Sequence, residues 1–256
     1  MKHQQIVNEI ERVAPKTLAE PWDNPGLMIG SLEDECSGVV LSLDLTKSAV
    51  KIAVENGCNL IVTHHPFFFH SVKSIDTDTA RGEITKLVLA NNITVYSAHT
   101  NFDMSEEGGL CTSLATLLGG ENVVGDGVGV VCDIKAQSLK DFASGIAKTL
   151  KDNSVKYVGD DNKVIKRAFI ICGGGASDGA LEHAMGCADI FVSGDFKHHL
   201  YVNAQEENFP IIEFSHYASE IMAEDLFEKL IAPLGVKTIK AKQCCPFKTV
   251  GGYDEF

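Results

Sequence analysis

One feature limits the folds open to this chain more than any other: a long segment occurs twice. Residues 39–65, VVLSLDLTKSAVKIAVENGCNLIVTHH, lie over residues 169–195, FIICGGGASDGALEHAMGCADIFVSGD, in constant register. Each copy reads as strand, turn, helix, strand and polar turn, the mark of a duplicated supersecondary unit. The runs 39–43 and 169–172, and again 60–63 and 190–193, are short, apolar and bounded by turn residues, as strands buried on both faces are. Between them, 47–55 and 177–185 carry apolar residues at helical spacing and end near Gly57 and Gly186. The likeness resumes at a shorter offset in ITVYSAHTNFD (93–103) and PIIEFSHYASE (210–220). Both are apolar strands running into a histidine, with a carboxylate four residues later: His99 with Asp103, and His216 with Glu220.

Strands alternating with helices of this length imply an α/β protein with largely parallel sheets and flanking helices. The duplication implies two lobes, 1–125 and 126–256, divided in the glycine-rich stretch around 119–130. In such sheets, function gathers at the carboxyl ends of the strands. His64, His65, His99 and His216 all stand there, and two lobes facing each other would gather them.

At 256 residues and 45% hydrophobic, the chain has enough apolar surface for a sizeable core and reads as a soluble globular protein. MKHQQIVNEIERVAPKTL places its apolar residues at helical spacing, unlike a signal peptide, and no apolar run approaches membrane-spanning length. A net charge of -13 disfavours nucleic acid as a partner, because such binding rests on Lys and Arg releasing counterions. None of the eight cysteines forms a C-x-x-C pair, which argues against a zinc knuckle or a redox motif and fits a reducing cytoplasm.

The histidines and carboxylates at successive strand ends suit metal ligation. His64 and His65 are adjacent, so on extended backbone their side chains point apart, poorly placed to share one ion but well placed to hold two neighbouring ones. A helix starting at His216 puts Glu220 one turn away on the same face. Histidines with Asp103 and Glu220 suit two divalent ions of zinc, iron, manganese or nickel rather than calcium or magnesium. Two such ions activate a bridging water for hydrolysis.

HHPFFF, VYSAHTNFD, SHYASE, the early WDNPGL (22–27) and LDLT (43–46) together resemble the NIF-three-like family, whose members are often labelled GTP cyclohydrolase I type 2 homologues. The resemblance runs from Trp22 to beyond Glu220. It implies a two-lobed fold with a dinuclear metal centre between the lobes, its ligands falling on His64, His65, Asp103, His216 and Glu220. It also implies a homo-oligomer, commonly a toroidal hexamer, and opening of a purine nucleotide ring by metal-activated water. Two positions depart from the family: Ser215 stands where glycine is usual, and Phe67 and Phe68 follow HHP where smaller or aliphatic residues are common.

Around these ligands, His99 is expected to orient a ligand or move a proton. Asp195 and His198, in the GDFKHH turn at the repeat position of HHPFFF, are candidates for acid and base or for substrate contact, or else a polar loop with its helix start. Gly174 and Gly175, in CGGGASDG, either cradle an anionic substrate group with backbone N–H groups or make a tight turn; the stretch is not G-x-G-x-x-G. Trp22 covers the site or closes a turn. Besides a hydrolase acting on a nucleotide-like small molecule, the pattern admits a non-enzymatic, ring-shaped metal-binding scaffold or regulatory protein.

Overall fold

The computed structural model describes residues 1–249. Its strands are β1 (Gly26–Ile29), β2 (Val39–Ser42), β3 (Leu60–Thr63), β4 (Thr94–Ser97), β5 (Glu121–Asp126), β6 (Gly129–Ser138), β7 (Lys156–Val158), β8 (Val164–Ile170), β9 (Ile190–Ser193), β10 (Ile211–Glu213) and β11 (Thr238–Lys240). They form two sheets, in the orders β1-β4-β3-β2-β11 and β5-β6-β8-β9-β10-β7. The duplicated segments supply the middle of each. β2, β3 and β4 run parallel in the first, and β8, β9 and β10 run parallel in the second. Parallel β11 joins the first sheet, and antiparallel strands flank both, with β1 on β4, β6 on β8 and β7 on β10.

Local chemistry explains the elements. The helix Lys47–Glu55 is capped by Thr46, whose hydroxyl accepts the Ala49 N–H, and the chain leaves it through Gly57 at φ +63°. Its counterpart, Asp178–Cys187, is capped by Ser177 in the same way but passes through Gly186 instead of stopping there, ending where Ala188 turns extended. The expected strand 169–172 ends early, at Ile170, because the backbone turns left-handed at Gly173. That strand begins as far back as Val164, where it pairs with the long β6.

Each sheet carries its own core. In the first, Val40, Ile61 and Val95 sit side by side in register and pack against Val50, Ala53 and Val88 from the helices. In the second, Phe169, Phe191 and Ile211 are the corresponding row, packed against Leu181, Ala184 and Leu200.

The compact units differ from the expected halves 1–125 and 126–256. One comprises Met1–Ser105 and Met222–Cys244; the other comprises Glu106–Ile221 with the chain from Cys245. Residues after Met222 return to the first unit because β11 extends its sheet beside β2 and because Phe227 stacks on Phe102. Those two rings are fully buried with centroids 4.6 Å apart. Phe102 belongs to the short helix Thr100–Asp103, so the returning helix Ala223–Ile231 also fixes the element that carries Asp103. Replacing Phe227 with Ala is expected to cost about 3–5 kcal/mol in denaturant unfolding, the usual loss for a buried aromatic ring.

Candidate metal centre

In the first unit, the ligand candidates follow β3 and β4. Past Thr63 the chain folds over, with the Thr63 and Ser97 hydroxyls both bonding the carbonyl of His65, at 2.9 and 3.2 Å. The two adjacent histidines therefore do not point apart as on a continuing strand; their ring centroids lie 5.0 Å from each other. His64 is fully buried, and its Nδ1 is 2.9 Å from the Ala98 carbonyl. A carbonyl only accepts, so Nδ1 carries the proton and Nε2 faces Asp103 Oδ1 at 3.5 Å. His65 Nδ1 meets Asp44 Oδ1 at 2.8 Å. Asp44 is itself clamped by one amide: its N–H donates to Gln243 Oε1 at 2.8 Å, and Gln243 Nε2 donates to its carbonyl at 3.0 Å.

His99 stands beside this pair. Ligand nitrogens of His64, His65 and His99 lie within 4.8 Å of one another. Asp23 Oδ1 holds His99 Nδ1 at 2.7 Å, while Asp23 Oδ2 accepts from the Thr100 N–H and hydroxyl at 3.0 and 2.6 Å. Burial alone pushes the Asp23 carboxyl up, but the hydrogen bonds from His99 and Thr100 outweigh it and bring the pKa down to about 2. Trp22, 56% exposed, lies 5.7 Å from the Phe69 ring and 6.4 Å from that of His99, so it borders the histidines.

In the second unit, His216 opens the helix His216–Glu220, and its Nε2 is 2.9 Å from Glu220 Oε2 one turn on. Glu220 is 3% exposed. Asp195 Oδ2 lies 2.8 Å from His216 Nδ1, which makes Asp195 the residue that orients this imidazole. Ser215 is accommodated where the family resemblance leads one to expect glycine. Its φ of -71° needs no glycine, its hydroxyl accepts the Ala218 N–H, and its own N–H donates to Asp152 Oδ2 at 2.6 Å.

The glycine that the site requires is Gly173, at φ +58°. A methyl group there would collide with Glu220 Oε1 and crowd His216 Nε2, while its N–H donates to Ser219 Oγ at 3.0 Å. Gly174 lies against Asp195 Oδ2 and His216 Nδ1, and Gly175 against Ile171. His198 is exposed at the first position of the helix His198–Glu206 and belongs to none of the ligand groups found among the described residues.

The donors suit a divalent metal. Each of the four histidines has Nδ1 held by a carboxylate or carbonyl oxygen, which fixes ring orientation and directs Nε2 to the ligand side, as in metal-ligating histidines generally. Sequence reasoning missed Asp23, Asp44 and Gln243, and left the role of the turn at Gly173 open. The two aspartates lie inside WDNPGL and LDLT, where a carboxylate beside a histidine-rich strand end was a readable signal; nothing near Gln243 marks it.

Two measurements follow. Replacing Gly173 with Ala is expected to weaken metal binding by about tenfold or more in a titration, whereas Gly186→Ala, which meets no neighbouring atom, leaves it unchanged. A carboxyl lowered from 3.8 to about 2 stabilises the fold fully above its unfolded value and loses that contribution as pH falls through its folded value. Asp23→Asn should therefore cost ~2 kcal/mol at neutral pH and progressively less on acidification, in urea melts recorded from neutral to strongly acidic pH.

The family model for Duf34/NIF3 (NGG1p interacting factor 3) matches residues 1–244. A Clostridium perfringens protein named GTP cyclohydrolase 1 type 2 homolog is 35% identical over 230 residues, spanning 86% of this chain and 87% of its own. Among solved structures, a Staphylococcus aureus hypothetical protein superposes with a TM-score of 0.87 at 27% identity, covering 98% of this chain and 99% of that one. A Bacillus cereus protein related to NIF3 gives a TM-score of 0.90 at 20% identity, with the same coverage, and so speaks for the fold alone. With the family model matching residues 1–244, the chain belongs to the Duf34/NIF3 family.

Proposed function

We propose that this protein is a dinuclear metal-dependent hydrolase that opens the ring of a purine nucleotide, as the name of its relatives suggests. The observation that carries the reading is the set of four histidines whose Nδ1 atoms are all held from behind, together with Asp103 and Glu220 on the Nε2 side of two of them. His64, His65, Asp103, His216 and Glu220 are proposed as ligands of two divalent ions, from zinc, iron, manganese or nickel. A pair of such ions supplies an acidified water and polarises the substrate atom under attack.

The protein's own groups do the rest. His99, backed by Asp23, takes up and returns the proton that must move as water adds at C8 of the purine and the ring C–N bond breaks. Asp195 holds His216 in the tautomer that ligation needs. Glu220 would hold metal through its carboxylate and serve as a base toward the attacking water. His198 is assigned a proton-transfer role, Trp22 a stacking role against the heterocycle, and the backbone N–H groups of Gly174 and Gly175 contact with the phosphates. A homo-oligomer, the toroidal hexamer of the resemblance, completes the proposal.

Metal-loaded protein given GTP should open the ring with one water to the formamide and, with a second water that cleaves the remaining C8–N bond, release formate. Asp23→Asn and His99→Ala should each lower kcat by about 10²–10⁴ with both metal equivalents retained, while Glu220→Gln should lose metal as well as turnover. Formate absent with GTP, while other nucleotide C–N or phosphoester bonds are cleaved, would replace the substrate and keep the hydrolase. No turnover of any of these, with an oligomer mass that changes on Glu220→Gln, would favour the scaffold.

A further inference from the structure

A second group of ligating side chains lies in the second unit and shares no residue with the candidate centre above. His183 and Cys187 are one turn apart on the helix Asp178–Cys187, so they present their donors along one face. Asp126 reaches them from the end of β5, just before the left-handed Gly127 (φ +61°) reverses the chain into β6. Asp126 Oδ2 is 2.8 Å from His183 Nε2, and the Phe169 ring, 5.2 Å away and edge-on, supports the imidazole. The ligand atoms of Asp126, His183 and Cys187 all lie within 4.8 Å of one another.

We infer that Asp126, His183 and Cys187 form a separate binding site for one zinc-class ion. Bonds of ~2.0–2.3 Å in a tetrahedron put neighbouring ligand atoms about 3.3–3.8 Å apart, so the Asp126–His183 pair needs to open by about half an ångström and the remaining separations to close by at most about an ångström. One oxygen, one imidazole nitrogen and one sulfur favour zinc, cobalt(II) or nickel(II) and disfavour magnesium and calcium. The present hydrogen bond between Asp126 and His183 holds two of the donors together until the ion takes its place. Binding releases the thiol proton of Cys187, since the thiolate is the ligand. With the His183 and Asp126 side chains 48% and 35% exposed, the fourth position is open to water. The ion would tie the β5–β6 turn to the helix, two elements that the sequence places far apart.

The inference does not rest on the proposed hydrolase, and cobalt(II) tests it separately. No cysteine is among the ligands proposed for the dinuclear centre, so a near-ultraviolet sulfur-to-cobalt charge-transfer band reports only a thiolate site. The full chain titrated with cobalt(II) should show that band, saturating at one equivalent, with Glu220→Gln leaving it intact. Cys187→Ser should abolish it, His183→Gln and Asp126→Asn should weaken it by about tenfold or more in cobalt affinity, and metal analysis should fall by one equivalent. Zinc should raise the Tm of Glu220→Gln protein but not of the Glu220→Gln/Cys187→Ser double variant. Absence of the band at saturating cobalt, or its survival in Cys187→Ser, overturns the site. Should Cys187→Ser fail to fold, a band unchanged in His183→Gln overturns it equally.

Discussion

An imidazole whose Nδ1 is already committed presents its Nε2 in a fixed direction, and in this protein that commitment organises the strand ends. His64 leans on a main-chain carbonyl, and His65, His99 and His216 each lean on an aspartate. None of the three aspartates is adjacent in sequence to the histidine it holds, so the sheets must be in register before any ring is aimed. The strands set positions to within a residue, and the second layer of oxygens sets orientation. Losing a ladder pair between β2 and β3, or between β3 and β4, would therefore act on ring orientation at one remove.

The duplication explains why a single supersecondary unit suffices to build two such ends. Both copies place a histidine-bearing turn after a parallel strand, yet the copies have diverged in what they use. His65 is matched in register by Asp195, so a position that offers an imidazole in one unit offers in the other the carboxylate that holds His216.

Much of this was legible in the sequence because it is local. The helix Lys47–Glu55 and the strands Leu60–Thr63 and Ile190–Ser193 fall where the apolar spacing puts them, and the histidine-to-carboxylate spacing of His216 and Glu220 does become one helical turn. What escaped is non-local or conformational. The mutual approach of His64 and His65 depends on hydroxyls of Thr63 and Ser97 gripping one carbonyl, which breaks the alternation expected of a strand. Gly173 reads as one of three glycines until its left-handed backbone and the carboxylate against it are seen. The division of the chain was misplaced because repeat boundaries mark ancestry in the sequence, whereas packing follows Phe227 and β11 back to the first sheet.

That return has a consequence for the order of assembly. The first unit is written in two pieces with most of the second unit between them, and the amide that steadies Asp44 belongs to a residue 199 positions later. During synthesis from the N-terminus, the parallel strands of the first sheet and the Asp44 carboxylate that holds His65 can come together early, but the amide that steadies the Asp44 backbone arrives only once Gln243 has left the ribosome. A nascent or shortened chain that lacks Gln243 would therefore carry His65 and Asp44 before the Asp44 backbone is fixed.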